Sequence, residues 1–170
     1  MKREIQAFDY AKEILQEVSK GVLLTTKADG KVNTMTIGWG TMGVEWGKPI
    51  FIAYVREHRH TYAMLESNGE FTVNVPMGDC KKILAWCGTK SGRDTDKIAD
   101  LGLTLVEPTA ISVPGIKELP LTLECKVIYK QPQAAAAIPQ SIKDRYYNDN
   151  IPGDYHTAYY GEIVGAYIAE

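Results

Sequence analysis

Between Val32 and Gly43 the chain reads VNTMTIGWGTMG, which sets Gly38, Gly40 and Gly43 in a G-x-G-x-x-G spacing. In a dinucleotide-binding turn such glycines open a helix whose N-terminus faces a pyrophosphate, inside a β-α-β unit. Glu57, 19 residues after Gly38, even stands where a ribose-binding acid would sit. The next few residues exclude that arrangement. Only Val44–Pro49 separates Gly43 from the apolar run starting at Ile50, whereas a crossover with its helix takes at least about 10–12 residues. Gly47 and Pro49 oppose helix further. What remains is a strand leading into a broad glycine-rich loop. Alternation places Asn33, Met35, Ile37 and Trp39 on one face and Thr34 and Thr36 on the other. Two hydroxyls on a glycine-flanked strand suit close approach to a ligand; an ordinary sheet edge with threonines has the same pattern.

The rest of the chain continues this alternation of strands with irregularly inserted helices. Phe8, Ala11, Ile14, Leu15 and Val18 recur at helical spacing, predicting an amphipathic helix over about residues 5–19 that ends at Gly21. Asp29-Gly30 between two apolar runs predicts a hairpin. PIFIAYV, EFTVNVP, LTLVEP, LPLTLECKVIYKQ and TAYYGEIVGAYIA read as strands, the fourth turning Leu121, Leu123, Cys125 and Val127 inward. Short helices are expected at HTYAMLES, at GDCKKILAWCG and at DTDKIADLG, with a Pro-interrupted one at AAAAIPQSIKDRYY. Six or seven strands with peripheral helices make a mainly β, α+β chain rather than a regular β-α-β one. No linker divides it, so a single domain over residues 1–170 is expected.

Charge and cysteine content narrow the function classes. A net charge of −2 offers no field for nucleic acid or an anionic membrane. An anionic ligand must be small and held locally. No apolar run approaches the roughly 18 residues of a membrane span, and the charged start MKREIQAFDY does not read as a secretory signal. Cys80, Cys87 and Cys125 are therefore expected as reduced thiols in the cytoplasm. Paired short ligand spacings are missing, so no metal site is expected.

Three constellations carry polar chemistry. YVREHRHT gathers Arg56, His58, Arg59, His60 and Thr61 where a helix begins, a combination suited to phosphate or to a capped, solvated turn. CGTKSGRDTDK offers backbone freedom at Gly88 and Gly92, hydroxyls at Thr89 and Ser91, and the Lys97 cation, without the spacing of a Walker loop. An Asp94-capped helix after a polar loop reads equally well. Cys87 beside it is a reactive thiol or, more commonly, a buried structural one. GDYHTAYYGEI sets His156 among Tyr155, Tyr159 and Tyr160, where histidines are usually structural. No Ser-His-Asp or paired-carboxylate arrangement follows from these spacings.

In this order, GVLLTT, GKVNTMTIGWG, KPIFIAYVREHRHTY, NGEFTVNVP, CGTKSGRDTDK and DYHTAYYGEI resemble the flavin reductase-like, FMN-binding split-barrel family, which includes flavoredoxins. The resemblance runs from about Gly21 to Ile163. It implies an antiparallel split β-barrel, a homodimer with FMN near the interface, and electrons arriving from NAD(P)H or a redox protein. A non-enzymatic electron carrier or flavin-binding module is the alternative it leaves. It also implies that Asn33, Thr34, Met35, Thr36 and Trp39 line the flavin and its phosphate arm. Arg56, Thr61 and Arg59 would meet the phosphate, and Asn74 the edge of the ring. Cys87, Gly88, Ser91 and Lys97 would surround the ribityl and phosphate groups. His156 would lie beside the flavin and relay a proton. His60 departs from the family, many of whose members carry Tyr there.

Overall fold

The structure is a computed structural model that describes residues 1–148 and 151–170. Strands β1 (Lys2–Glu4), β2 (Val22–Ala28), β3 (Lys31–Ile37), β4 (Gly40–Glu45), β5 (Lys48–Arg56), β6 (Glu70–Val75), β9 (Leu121–Pro132) and β10 (His156–Ala169) join in one antiparallel sheet. A separate two-stranded pair is formed by β7 (Leu105–Val106) and β8 (Gly115–Ile116). The helices are α1 (Ala11–Val18), α2 (His60–Ser67), α3 (Lys81–Thr89), α4 (Lys97–Leu101) and α5 (Gln140–Tyr146). The order of the main path is β3-β2-β6-β9-β10-β5-β4, with β1 on β10. Strands β3 and β4 are therefore at opposite ends of the sheet, yet only Gly38 and Trp39 join them in the chain. The sheet has to curl until its two edges meet at that junction without pairing. It is an antiparallel barrel, split between β3 and β4, with helices at its periphery.

Local chemistry accounts for the elements. Asp29 and Gly30 take left-handed φ values of 49° and 75°, the two-residue turn that matches the twist of β2 and β3. Trp46 and Gly47 repeat the device between β4 and β5, at 51° and 70°. Ile14 and Val18, one helical turn apart in α1, are both buried in the barrel core with Phe51, Phe71 and Tyr159. Leu23, Cys87, Leu103, Ile116 and Leu119 form a second cluster outside the barrel, beneath α3 and α4.

Four expectations need correction. The glycine-rich run after Trp39 is a strand, β4, rather than a broad loop. An edge strand bonded only to β5 buries little, so its composition lacks the apolar run that marks a central strand. The sheet accordingly holds more strands than six or seven, with the three-residue β1 also escaping notice. LTLVEP shrinks to the two residues of β7. The N-terminal helix begins later, as a 3-10 turn over Ala7–Tyr10 followed by α1. The last expected helix is indeed broken, into a 3-10 turn at Ala135–Ala137 and α5 after Pro139.

Candidate functional site

The split in the barrel opens into a groove made of two adjoining cavities. The larger, about 590 Å³, lies between the end of β3, Trp39 at the junction, the end of β5 and the start of β10. The smaller, about 200 Å³, runs on toward the first turn of α2 and the Ser91 loop. Met35, His58 and Arg59 line both, so the two lie side by side against shared walls.

The larger cavity is aromatic. Trp39 makes an edge contact with Tyr146 at 5.2 Å and a tilted contact with His156 at 4.8 Å. His156 and Arg56 are cross-strand partners in the β10–β5 ladder, which puts them on the same face of the sheet. The His156 Nδ1 lies 2.7 Å from the Tyr147 hydroxyl. Burial, reinforced by the Arg56 charge, pushes the imidazole down to about 4, so the ring is neutral at ordinary pH. Arg56 is already engaged: it donates to the Tyr146 carbonyl, lies 3.6 Å from the Asp154 carboxylate and stacks over Tyr147. The same carboxylate accepts from the His58 backbone N–H at 3.1 Å and pairs with the His58 ring.

The smaller cavity is cationic and rich in hydroxyls. The Arg59 guanidinium makes no hydrogen bond or ion pair to another described residue, and Arg59 precedes α2, whose start no side chain caps. Thr61 accepts from Asn33 Nδ2 at 3.1 Å, which leaves its own proton to donate. Lys97 is buried, and two of its three protons go to the Thr34 and Cys87 carbonyls at 2.9 Å each. Burial lowers its pKa, and the Arg59 charge acts in the same direction. The His60 pKa is lowered too, first by burial and then by Arg93, Lys97 and Lys31. The field is therefore positive in a chain whose net charge is −2. Gly92 makes the crossing of loop and strand possible. A Cβ there would sit 2.1 Å from Asn33 Oδ1 and 2.8 Å from His60 Cδ2.

Most of the residues singled out in the sequence gather here. Met35, Thr36, Trp39, Arg56, Arg59 and His156 line the larger cavity. Asn33, Met35, Arg59, Thr61, Ser91 and Lys97 line the smaller. Four do not present their side chains to it. Asn74 is fully buried, accepting from Thr25 at 2.7 Å and donating to Thr122 at 3.2 Å, so it knits strands together away from the groove. The Thr34 hydroxyl belongs to the same network, 3.0 Å from Thr25, and only its carbonyl, through Lys97, serves the site. Cys87 is buried, and desolvation pushes its thiol up to about 11, which favours the protonated form at ordinary pH. Gly88 packs on Thr36, with a Cβ position 3.4 Å from the Thr36 Cβ. Tyr54 and Tyr146 line the groove without having been singled out. Tyr54 stands two residues before Arg56 on the same strand, so alternation alone locates it; Tyr146 has no local signal.

The flavin reductase-like domain model matches residues 16–170. The chain belongs to this family. Among solved flavin reductase-like structures, it superposes on the flavoredoxin of Methanosarcina acetivorans with a TM-score of 0.68 and 27% identity, covering 88% of this chain and 68% of that one. The flavoredoxin of Desulfovibrio vulgaris gives 0.68 at 24%, over 88% and 69%. Component B of nitrilotriacetate monooxygenase from Bacillus cereus gives 0.69 at 18%, over 99% and 79%. These likenesses establish the split-barrel fold. An uncharacterized protein of Archaeoglobus fulgidus is 35% identical over 98 residues, 58% of this chain and 55% of that protein. The matched segments thus span about half the length of the curated relatives.

Proposed function

We propose that this protein binds FMN in the groove and acts as a flavin-dependent oxidoreductase, passing reducing equivalents from NAD(P)H or a redox partner. The observation that carries the reading is the joining of an aromatic cavity to a cationic, hydroxyl-rich one through shared walls at Met35, His58 and Arg59. The donor set suits a phosphomonoester: Arg59, Lys97, Thr61, Ser91 and the uncapped start of α2. Arg59 and Lys97 would carry the phosphate, because Arg56 is already committed to Asp154 and Tyr146. Trp39, Tyr146 and His156 would flank the ring. When bound, FMN supplies hydride and single-electron transfer. The chain's part is to hold it, to set its electrostatic surroundings and to limit water around it. His156, neutral at ordinary pH, serves as a hydrogen-bonding group rather than as a standing cation.

A second reading, an electron carrier that barely oxidises pyridine nucleotide, draws on the open aromatic mouth. Trp39 and Tyr146 remain 40% and 39% exposed there, within reach of a redox protein. We also propose a homodimer, supported by the aromatic face beyond the groove, where Tyr129 makes edge-to-face contacts with both Trp46 and Tyr160. The three free thiols Cys80, Cys87 and Cys125 support a reducing, cytoplasmic setting. No helix among the described residues is long and apolar enough to cross a membrane.

The test is a fluorescence titration with FMN, run beside an NAD(P)H oxidation assay. Submicromolar binding that weakens about tenfold or more in Lys97→Ala or Thr61→Ala is expected, each variant losing a charge-assisted or hydroxyl contact of about 1.5–3 kcal/mol. No FMN affinity in the wild type would overturn the reading. NAD(P)H consumption marks the enzyme; its absence, with rapid reduction by a redox protein, marks the carrier.

A further inference from the structure

We propose that Gln133 and Tyr147 are positioning residues that set which nitrogen of His156 carries the proton, so that the groove is offered an unprotonated Nε2 that accepts a hydrogen bond. The inference rests on the flavin reading only for the identity of the ligand.

One chain of contacts, Gln133–Tyr147–His156, has to share a limited number of protons. The Tyr147 hydroxyl donates to Gln133 Oε1 at 3.0 Å, and a carboxamide oxygen can only accept. We assign the phenolic proton to this contact, with the Gln133 carboxamide taken in the orientation that turns Oε1 toward the hydroxyl. The 2.7 Å contact between the same hydroxyl and His156 Nδ1 still needs a proton, and only Nδ1 can supply it. A neutral imidazole has one N–H, so Nε2 is left bare. The ring is neutral because burial and Arg56 oppose its protonation.

The geometry holds this arrangement from both ends. The Gln133 backbone N–H donates to the His156 carbonyl at 2.9 Å, so main chain and side chains clamp the same two residues together. Trp39 lies 4.8 Å from the imidazole on the groove side, and Tyr147 lies 5.5 Å away in a T-shaped contact. Arg56, 5.1 Å over the Tyr147 ring, holds the phenol in place. Nε2 bonds to no described residue, yet it is not walled in. The buried side-chain polar atoms without a partner among those residues are Thr157 Oγ1 and Tyr167 Oη. His156 lines the cavity, so the bare nitrogen is open to a ligand.

An acceptor at this point selects for a donor. An isoalloxazine offers an imide N–H and its side chain offers hydroxyls, whereas a carbonyl or phosphate oxygen brought to Nε2 would meet a lone pair. Gln133 and Tyr147 thus act through His156 on which ligand edge can face this wall.

Long-range ¹H–¹⁵N correlation of the ligand-free protein at pH 7 reads the tautomer directly, independently of any flavin. The expected result is a protonated Nδ1 and a pyridine-type Nε2. Gln133→Leu releases the phenolic proton toward His156, and Tyr147→Phe removes the acceptor; both are expected to move the proton to Nε2. Gln133→Glu keeps an acceptor and is expected to preserve the wild-type spectrum. In FMN titrations, Gln133→Leu and Tyr147→Phe should weaken binding about fivefold, the loss of one ordinary hydrogen bond, and Gln133→Glu should leave it within about twofold. A wild-type protein protonated at Nε2, or a tautomer indifferent to both Gln133→Leu and Tyr147→Phe, would overturn the assignment. A shifted tautomer with unchanged FMN affinity would overturn the acceptor role. The stated tautomer with no FMN binding would instead remove the flavin reading and leave the assignment of Gln133 and Tyr147 standing.

Discussion

At His156 burial outweighs the neighbouring carboxylate. Asp154 favours the imidazolium, but desolvation and Arg56 together hold the group at about 4 against an ordinary 6.5. Between those values the unfolded chain binds more protons than the folded one, so stability is complete above about pH 6.5 and falls as the pH drops toward 4. We expect urea midpoints of the wild type to drop between pH 7 and pH 4.5, and part of that drop to vanish in His156→Gln. An identical pH dependence in the two proteins would remove His156 as a cause. Gly92 makes a second prediction at this scale. A methyl group would land 2.1 Å from Asn33 Oδ1, so either the Ser91 loop or the Asn33–Thr61 hydrogen bond must give way. Gly92→Ala should lower stability by about 1–3 kcal/mol, as overpacking does, and weaken FMN binding together with it. Denaturation and titration of the same sample check both. Asn74, by contrast, is buried and hydrogen-bonded to Thr25 and Thr122 rather than turned to the groove. Its neighbours Thr25 and Thr122 lie 49 and 48 residues away in the chain, so no local pattern marks it as interior.

Among the elements, α4 is five residues long and depends on its ends. Asp96 accepts from the Ile98 and Ala99 N–H groups at 3.1 Å each, and Gly102 closes the helix at a left-handed φ of 61°. The cap sits one residue before Lys97, so the same turn that starts the helix aims the ammonium at the Thr34 and Cys87 carbonyls. Asp96→Ala should cost about 0.5–2 kcal/mol. It should also weaken FMN binding although Asp96 is not placed in the phosphate cradle. Undiminished affinity would show that Lys97 holds its position without the cap. Helices and hairpins of this kind are legible in sequence because their signals are local: Asp29-Gly30 for one turn, Ile14 and Val18 for one buried face. The β4–β5 hairpin is not, since Trp46 at positive φ is an unusual turn residue and the edge strand beside it buries little.

For the whole molecule, one apolar cluster joins α1, β2, β3, β5, β6, β9 and β10. Strands that share a core cannot lose it separately, so we expect a single cooperative unfolding transition, as for one domain. Far-ultraviolet and near-ultraviolet circular dichroism should give coincident urea midpoints; separated midpoints would mean two units. Sequence by itself excluded a β-α-β unit after Gly43, because the six residues that follow leave no room for a crossover helix, and the irregular placement of the helices marked a mainly β chain. It also marked the cations, hydroxyls and histidine that the groove collects, since each belongs to a short stretch with its own chemistry. Only the tertiary structure decided which of them are available. Asp154, 98 residues from Arg56, engages that arginine and leaves Arg59 to the groove. Tyr147 and Gln133 reach His156 from elsewhere in the chain and form the contacts on which its proposed tautomer rests. Such pairings depend on how the barrel curls and where its split falls, and contacts between residues distant in the chain leave no periodicity in the chain itself.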